Sequence, residues 1–249
     1  MRRAVAAALV LCALTGCQAV RAATGGDVPG PVVVVLFDVS RSTDDPDVRA
    51  RYLATFEVVL DHVIATHGSV VGDVIDDDPL AHSTFPISAM FEACNPISQN
   101  QLVCDAASAR TRATAMAAAR DVLARNTGAA GTDIHDALSL AQRVFDAYPE
   151  AGSRSLVLLS DMVERSERLN VGRLTEASIE ATIDGFVTDG LMPDLGGVQV
   201  YAVGAGVSQE GSGTAERFLT VQHFWEAFVS RAGGSLPSER YGAALVRFP

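Results

Sequence analysis

Three oxygen-bearing side chains follow the most apolar stretch of the chain at alternate positions. Residues 31–43 read PVVVVLFDVSRST, so Asp38, Ser40 and Ser42 come directly after a Val-rich run. Carboxylate and hydroxyl oxygens at this spacing can converge on one hard cation, and they suit Mg²⁺, Mn²⁺ or Ca²⁺ better than thiophilic metals. The alternative is that Asp38 begins a turn and the serines cap the next helix, as such residues commonly do. Taken alone, this stretch leaves both interpretations open.

The elements that must position these residues are indicated by the hydrophobic pattern. A continuous Val-rich run is typical of a strand buried on both faces. Further strands are predicted at 69–75, 155–159 and 197–203, with a last edge strand at 241–248. Helical periodicity predicts helices at about 48–66, 106–126, 132–148, 174–188 and 215–232. This alternation predicts an α/β protein with a Rossmann-like, open and mostly parallel sheet and helices on both faces.

Two other polar residues are expected at the same edge of the sheet as Asp38. Asp161 follows the buried strand at 155–159, and Thr132 lies in a glycine-led loop, TGAAGTDI, just before a predicted helix. Ligands of open α/β sheets bind beyond the carboxyl ends of the strands. With these parts in this order, residues 32–234 resemble the von Willebrand factor A (vWA) domain family. Its metal ion-dependent adhesion site (MIDAS) combines D-x-S-x-S, a Thr from a G-T-[DE]-type loop and an Asp after a buried strand.

The resemblance implies a ligand set and a partner. Ser40, Ser42 and Thr132 would offer hydroxyl oxygens to Mg²⁺, or to Mn²⁺ or Ca²⁺, with Asp38 and Asp161 acting directly or through water. A carboxylate from a partner protein would complete the coordination. Two features depart from the family: Met162 stands where many members have Gly, and a cysteine-bearing insert is present. Asp44 and Asp45 are interpreted as charges at the start of a helix rather than as a second, calcium-type site.

The N-terminus predicts export. Two arginines, an apolar run and the sequence LTGC resemble the lipobox of a bacterial lipoprotein signal. Residues 1–16 are therefore predicted to be a signal peptide, with Cys17 lipidated; an ordinary secretory signal is the alternative. Residues 17–30 are predicted to be a flexible tether and 31–249 the vWA-like domain. The apolar run is shorter than the roughly 20 residues that span a bilayer.

Charge and cysteine content agree with an extracytoplasmic binding protein. The net charge of −11 repels phosphate backbones, so no nucleic-acid partner is expected. An exported chain folds in an oxidising compartment, so Cys94 and Cys104 are predicted to pair within an irregular insert at 80–105. The expected location is the bacterial cell envelope, either periplasmic or at the cell surface, with the protein held on the membrane by its lipid.

Enzymatic alternatives find little support. The chain has no G-x-S-x-G elbow, no Walker loop and no G-x-G-x-x-G after a strand. A haloacid dehalogenase-like phosphatase would need Asp at Ser40 and a downstream Lys, and the chain has no Lys. We therefore predict a non-enzymatic module that binds a protein through a metal ion. A scaffold whose metal serves only stability or assembly, and a metal-dependent phosphatase-like hydrolase, are the alternatives.

The five histidines match no metal-binding helix signature and are expected to be surface or packing residues. His135, three residues after Thr132, is expected to face away from the predicted site. Trp225 and the neighbouring Phe residues are expected to lie in the core.

Overall fold

The computed structural model describes residues 29–125, 129, 131–206 and 214–249. The predicted signal peptide, Cys17 and most of the tether lie outside the described residues. The strands are β1 (Val32–Asp38), β2 (Ser69–Ile75), β3 (Ile87–Met90), β4 (Arg154–Leu159), β5 (Val198–Val203) and β6 (Tyr241–Gly242). The α-helices are α1 (Pro46–Ala65), α2 (Pro79–His82), α3 (Gln101–Ala124), α4 (Ile134–Ala147), α5 (Ile179–Thr188) and α6 (Ala215–Arg231). Among these described helices, none combines the length and apolarity needed to cross a bilayer.

The strands form one sheet in the order β3-β2-β1-β4-β5-β6. Every neighbouring pair is parallel except β2 and β3, which are antiparallel. Chain order reverses between β1 and β4, because β2 lies on one side of β1 and β4 on the other. In an open α/β sheet this switch point leaves a crevice beyond the carboxyl ends of the two strands.

Helices cover both faces of the sheet, as the sequence predicts. All seven residues of β1 are buried, and successive side chains of a strand point to opposite faces. Val33, Val35 and Phe37 pack in one core with α1 and α3. Val34 and Leu36 pack in the other core with α4, α5 and α6. The fold is therefore α/β, with a mostly parallel sheet between two helical layers.

The insert is shorter and more regular than the sequence indicates. Helix α3 begins at Gln101 instead of 106, because the Asn100 side chain accepts a hydrogen bond from the Leu102 N–H and caps the helix. The insert also contains the short edge strand β3. Cys94 and Cys104 form the predicted disulfide, with their Cα atoms 5.8 Å apart. The bond ties the first turn of α3 to the segment that follows β3.

The predicted strand at 241–248 is wrong beyond Gly242. Within this segment, only Tyr241 and Gly242 pair with β5. The chain then leaves the sheet edge, and the Phe248 ring packs 5.0 Å from the Tyr201 ring and 5.0 Å from the His62 ring. Leu245 and Phe248 pack instead against the core on the α1 side of the sheet, whereas Val246 is exposed.

Candidate metal site

Asp38 and Asp161 lie at the switch point of the sheet. Asp38 is the last residue of β1, and Asp161 comes two residues after the end of the neighbouring β4. Both are almost inaccessible, with exposed fractions of 0% and 2%. The topology therefore gathers two carboxylates, separated by more than a hundred residues in sequence, at one buried position.

The loop after β1 folds so that its hydroxyl groups face one another. The Ser40 N–H donates to Asp38 Oδ1 over 2.9 Å, and the Ser40 and Ser42 hydroxyl oxygens are 3.1 Å apart. Thr43, in the short 3₁₀ turn Arg41–Thr43, donates from its hydroxyl to the Asp38 carbonyl oxygen over 2.8 Å. The loop therefore holds the two serine side chains beside Asp38.

The electrostatics of this position suit a cation. Burial, and after it the charge of the neighbouring Asp161, raise the pKa of Asp38 to about 7. The Ser160 hydroxyl opposes this by donating to Asp38 Oδ2 over 2.6 Å. Two buried carboxylates with hydroxyl oxygens beside them are a ligand set that fits a hard divalent ion such as Mg²⁺. The donor chemistry is therefore compatible with the ion that the sequence predicts.

Met162, where the resemblance stated above leads one to expect Gly, takes up a glycine-like conformation. Its φ is +64°, in the left-handed region, and its side chain is fully buried. The Met162 N–H donates to the Ser160 hydroxyl over 3.0 Å, and the Trp225 indole N–H donates to the Met162 carbonyl over 3.0 Å. Trp225 is fully buried, as predicted. Hydrogen bonds of both the N–H and the carbonyl of Met162 thus fix the loop that carries Asp161.

Thr132 reaches the same edge of the sheet through its backbone. It is buried, and it forms an antiparallel bridge with Arg165, in the loop after β4. The two backbone hydrogen bonds measure 3.2 and 3.0 Å. The next residue, Asp133, donates its N–H to the Asp76 carbonyl at the end of β2 over 2.8 Å. These contacts place the Thr132 loop against the segments that follow β2 and β4.

The structure thus links Asp38, Ser40 and Ser42 by hydrogen bonds and brings Asp161 into electrostatic contact with Asp38. Thr132 is positioned beside the Asp161 loop. That these five residues bind a metal remains a prediction. Sequence reasoning missed Thr43 and Ser160, which orient Asp38, although the hydroxyl of Ser160 directly after a buried strand was a usable signal.

Tyr52, in α1, is a further polar residue near the site. It is 1% exposed, and its hydroxyl has no hydrogen-bond partner among the described residues. Burial raises its pKa well above the usual value, and Asp38 and Asp161 raise it further. A Cβ atom at Gly204, whose φ is +107°, would lie 2.7 Å from this hydroxyl. Glycine there leaves room for the phenol.

Asp44 and Asp45 serve the start of α1, as predicted. The Asp45 side chain accepts from the backbone N–H groups of Asp47 and Val48, at 2.8 and 3.2 Å. Asp44 forms an ion pair with Arg49, at 2.9 Å. These contacts are those of a capped helix N-terminus.

Two other groups of acidic and histidine side chains lie along the same edge. One comprises Asp76, Asp77 and His82, and the other comprises Asp133, His135 and Asp136. Within each group the potential ligand atoms lie within 4.8 Å of one another. Neither group contains a ligand of the predicted MIDAS, which relies on hydroxyl groups. His135 packs into the core and faces away from the predicted site, since its Nε2 lies 2.7 Å from the Leu191 carbonyl oxygen.

A cavity of about 160 Å³ opens beside Asp161. Arg165 and Arg217 both line it, together with apolar residues. Arg217 also donates to the Val171 carbonyl over 2.7 Å, which fixes its guanidinium at the wall. The surroundings of Asp161 therefore offer positive charge to an incoming anionic group.

The known structures described below match this chain only distantly. No protein-family model matches the chain, and no curated protein does either. Among solved structures, proximal thread matrix protein 1 from the mussel byssus matches at 13% identity with a TM-score of 0.39, over 82% of this chain and 48% of that one. A form of it with a zinc occupied MIDAS motif matches at 14% identity, TM-score 0.38, with the same coverage.

A third solved structure, the pilus adhesin SpaC from Lactobacillus rhamnosus GG in its open conformation, matches at 11% identity. Its TM-score is 0.45, and the alignment covers 87% of this chain and 28% of that one. The chain thus spans about half the length of the byssus protein and less of the adhesin. At these identities and TM-scores the matches are too distant to support an argument about function.

Proposed function

We propose that this protein is a non-enzymatic, MIDAS-type binding module that captures a protein partner through a divalent metal ion. Asp38, Ser40, Ser42, Thr132 and Asp161 hold the ion, which is Mg²⁺, or Mn²⁺ or Ca²⁺ in its place. The bound ion attracts a carboxylate of the partner, because three of the five ligands are neutral hydroxyl groups and one coordination position stays open to an outside anion. The chain itself orients the ligands and shields them from water.

The observation that carries this proposal is the pair of buried carboxylates at the switch point. Asp38 and Asp161 are 0% and 2% exposed, and the charge of Asp161 adds to burial in raising the pKa of Asp38. Such an arrangement destabilises the metal-free protein at neutral pH, whereas a divalent ion between the two carboxylates would turn repulsion into attraction. The serine hydroxyl groups, 3.1 Å apart, then supply neutral ligands on the solvent side.

The cavity beside Asp161 supports an acidic partner. Arg165 and Arg217 line it and would favour a carboxylate over an amide or a cation. A partner Glu or Asp side chain would enter here to reach the ion. The chain's own acidic surface makes a broadly acidic partner surface unfavourable, so we expect a single acidic side chain within a neutral or basic surface.

The proposed location is the extracytoplasmic side of a bacterial membrane. The Cys94–Cys104 disulfide is supporting evidence, because such bonds persist in oxidising compartments. The lipobox-like LTGC sequence supports lipidation at Cys17. Anchoring there would leave residues 18–30 as the tether between the lipid and the domain.

Thermal unfolding of the full-length protein tests the metal site. Mg²⁺, Mn²⁺ or Ca²⁺ should raise the melting temperature relative to chelator, because a ligand of the native state stabilises it by about 2.7 kcal/mol at 100 times Kd. The rise should be absent in an Asp38→Ala, Asp161→Ala double variant. Asp61→Ala, which removes an exposed acid of α1, should keep it. No rise with any of the three ions at millimolar concentration would refute the site.

A second experiment separates partner capture from a purely stabilising ion. Mn²⁺ bound to the protein enhances the relaxation of water protons through its bound water. Acetate, as a probe for a partner carboxylate, should displace that water and reduce the enhancement, whereas acetamide should not. An ion that serves only stability or assembly would raise the melting temperature and yet show no effect of acetate, and that result would favour the scaffold alternative.

A further inference from the structure

The first turn of α4 carries a group of side chains that the proposed MIDAS does not use. Asp133, His135 and Asp136 each offer one potential ligand atom, and these atoms lie within 4.8 Å of one another. Asp133 and His135 are 7% and 1% exposed. The Asp133 side chain caps α4 by accepting from the Asp136 N–H over 2.9 Å, which fixes one of the three.

The hydrogen bonding of His135 determines which ring nitrogen is available. Nε2 lies 2.7 Å from the Leu191 carbonyl oxygen. A carbonyl only accepts, so Nε2 must carry the hydrogen, and in the neutral ring Nδ1 keeps its lone pair. The ring cannot turn away from this arrangement easily, because it packs 4.6 Å from the Phe186 ring and 6.0 Å from the Phe228 ring. Nδ1 is therefore held in place with an open acceptor position.

Nδ1 of His135 faces a carboxylate without bonding to it. It lies 3.2 Å from Asp136 Oδ1, yet it is buried and has no hydrogen-bond partner in the part of the chain that the structure describes. Two acceptor atoms at this distance repel unless a positive charge lies between or beside them. Two ligands of a tetrahedral Zn²⁺, each about 2.0–2.1 Å from the ion, are about 3.3 Å apart. The observed separation of 3.2 Å is close to that of two ligands on one ion.

We infer that Asp133, His135 and Asp136 form a second metal site, which binds a divalent transition-metal ion, with Zn²⁺ preferred and water as a further ligand. One imidazole nitrogen and two carboxylates are a ligand set that suits Zn²⁺ or Co²⁺ and suits Mg²⁺ poorly. The Leu191 carbonyl is the outer partner that a metal-bound histidine usually has. This site is separate from the hydroxyl-rich one that contains Asp38.

The neighbouring group of Asp76, Asp77 and His82 lacks these properties. His82 is largely exposed, and its Nδ1 already pairs with Asp76 Oδ2 at 2.9 Å. That contact is satisfied as it stands, so it does not indicate an ion. His82 is therefore a suitable control residue for the site at α4.

Arg168 competes with the proposed ion. Its Nη1 lies 3.3 Å from Asp136 Oδ1, the same oxygen that faces His135, and its side chain is 49% exposed. A metal ion binding to Asp136 would displace this guanidinium into solvent. Removing Arg168 should therefore strengthen metal binding. If no metal bound here, removing Arg168 would only cost the ion pair with Asp136.

Visible absorption of Co²⁺ tests the inference in untagged full-length protein. Co²⁺ in a four-coordinate site absorbs far more strongly than hexaaqua Co²⁺. We expect this absorption in wild type and in Asp38→Ala, with displacement by Zn²⁺ and not by Mg²⁺. Asp136→Asn should abolish it, His82→Ala should leave it unchanged, and Arg168→Ala should lower the Co²⁺ concentration needed. Circular dichroism would verify that each variant is folded. Asp136 is substituted instead of His135, because His135 is part of the core and its loss could unfold the protein.

Two results would overturn the inference. The first is the lack of four-coordinate absorption in wild type. The second is absorption that survives in Asp136→Asn; if it were also lost in Asp38→Ala, the Co²⁺ would be assigned to the MIDAS-type site.

Discussion

Ser160 donates a 2.6 Å hydrogen bond from its hydroxyl to Oδ2 of Asp38, joining residues 122 positions apart in sequence. The same hydroxyl accepts from the Met162 N–H. Ser160 therefore fixes both the Asp38 carboxylate and the start of the loop that carries Asp161. Ser160 directly follows β4, and β4 is the neighbour of β1 in the sheet, so its hydroxyl can orient the carboxylate at the end of β1.

Replacing Ser160 by Ala should weaken both stability and metal binding. A hydrogen bond to a charged group contributes about 1.5–3 kcal/mol, so unfolding free energy should fall by about 2 kcal/mol. Mg²⁺ affinity should fall by about tenfold, as is usual when an outer partner of a metal ligand is removed. Urea unfolding and calorimetric titration measure the two effects. Ser230→Ala, at an exposed position of α6, should show neither; unchanged Mg²⁺ affinity in Ser160→Ala would contradict the positioning role.

The raised pKa of Asp38 predicts the pH dependence of stability in the metal-free protein. Burial and Asp161 place that pKa at about 7, against about 3.9 in the unfolded chain. Between these values the folded protein holds a proton that the unfolded chain has lost. Stability should therefore fall as pH rises through this window, by up to about 1.4 kcal/mol per pH unit from this group.

Urea unfolding in chelator, from about pH 4 to about pH 8, measures this slope. The buried Glu164, whose pKa is also raised by burial, contributes in the same direction, so the decisive quantity is wild type minus Asp38→Asn. Saturating Mg²⁺ should weaken or reverse the fall, because the ion binds the ionised carboxylate. In chelator, the unfolding free energy of wild type relative to Asp38→Asn should therefore fall as pH rises. If it increased instead, the ionised Asp38 carboxylate would not be destabilised by burial.

Removing the Tyr52 hydroxyl should stabilise the metal-free protein. This oxygen is buried beside Gly204 without a hydrogen bond among the described residues. A buried polar group without a partner costs about 1–3 kcal/mol, so Tyr52→Phe should raise the unfolding free energy by about 1 kcal/mol. Tyr201→Phe is the matched control: the Tyr201 hydroxyl donates to Gln199, and its loss should be neutral or slightly destabilising. A clear destabilisation in Tyr52→Phe would show that the phenol has a partner.

The sequence was sufficient for the parts of the fold that depend on local pattern. The Val-rich run of β1 and the apolar run of β4 can be buried on both faces only in a covered parallel sheet, and the sheet follows from them. Asp38 and Asp161 were identifiable because each comes at or just after the end of such a run. Their meeting is a consequence of parallel strands that share one carboxyl edge.

Features that depend on which strands and loops become neighbours were not predictable. Ser160 orients Asp38 only because β1 and β4 are adjacent, and His135 meets Leu191 across 56 residues. The start of α3 was misplaced because a capping Asn preceded a segment that contains Cys104 and was assigned to the insert. The end of β6 was misplaced because apolar residues that cover a helix and residues that continue a strand look alike over a few positions.

Met162 provides a test of the loop conformation that is independent of any metal. Its φ of +64° is unfavourable for a residue with a side chain, at a cost of about 1–2 kcal/mol. Its side chain is also fully buried, and truncating a buried Met costs about 2–5 kcal/mol. Met162→Gly and Met162→Ala should therefore both destabilise the protein.

The order of the two variants is the informative result. Glycine ordinarily stabilises less than alanine by about 0.5–1 kcal/mol, because its unfolded chain has more freedom. At a left-handed position the order reverses, so Met162→Gly should be more stable than Met162→Ala by about 1 kcal/mol. Urea unfolding of both in chelator measures the difference. If Met162→Ala were the more stable variant, the loop that carries Asp161 would not have the glycine-like backbone that brings this carboxylate to Asp38.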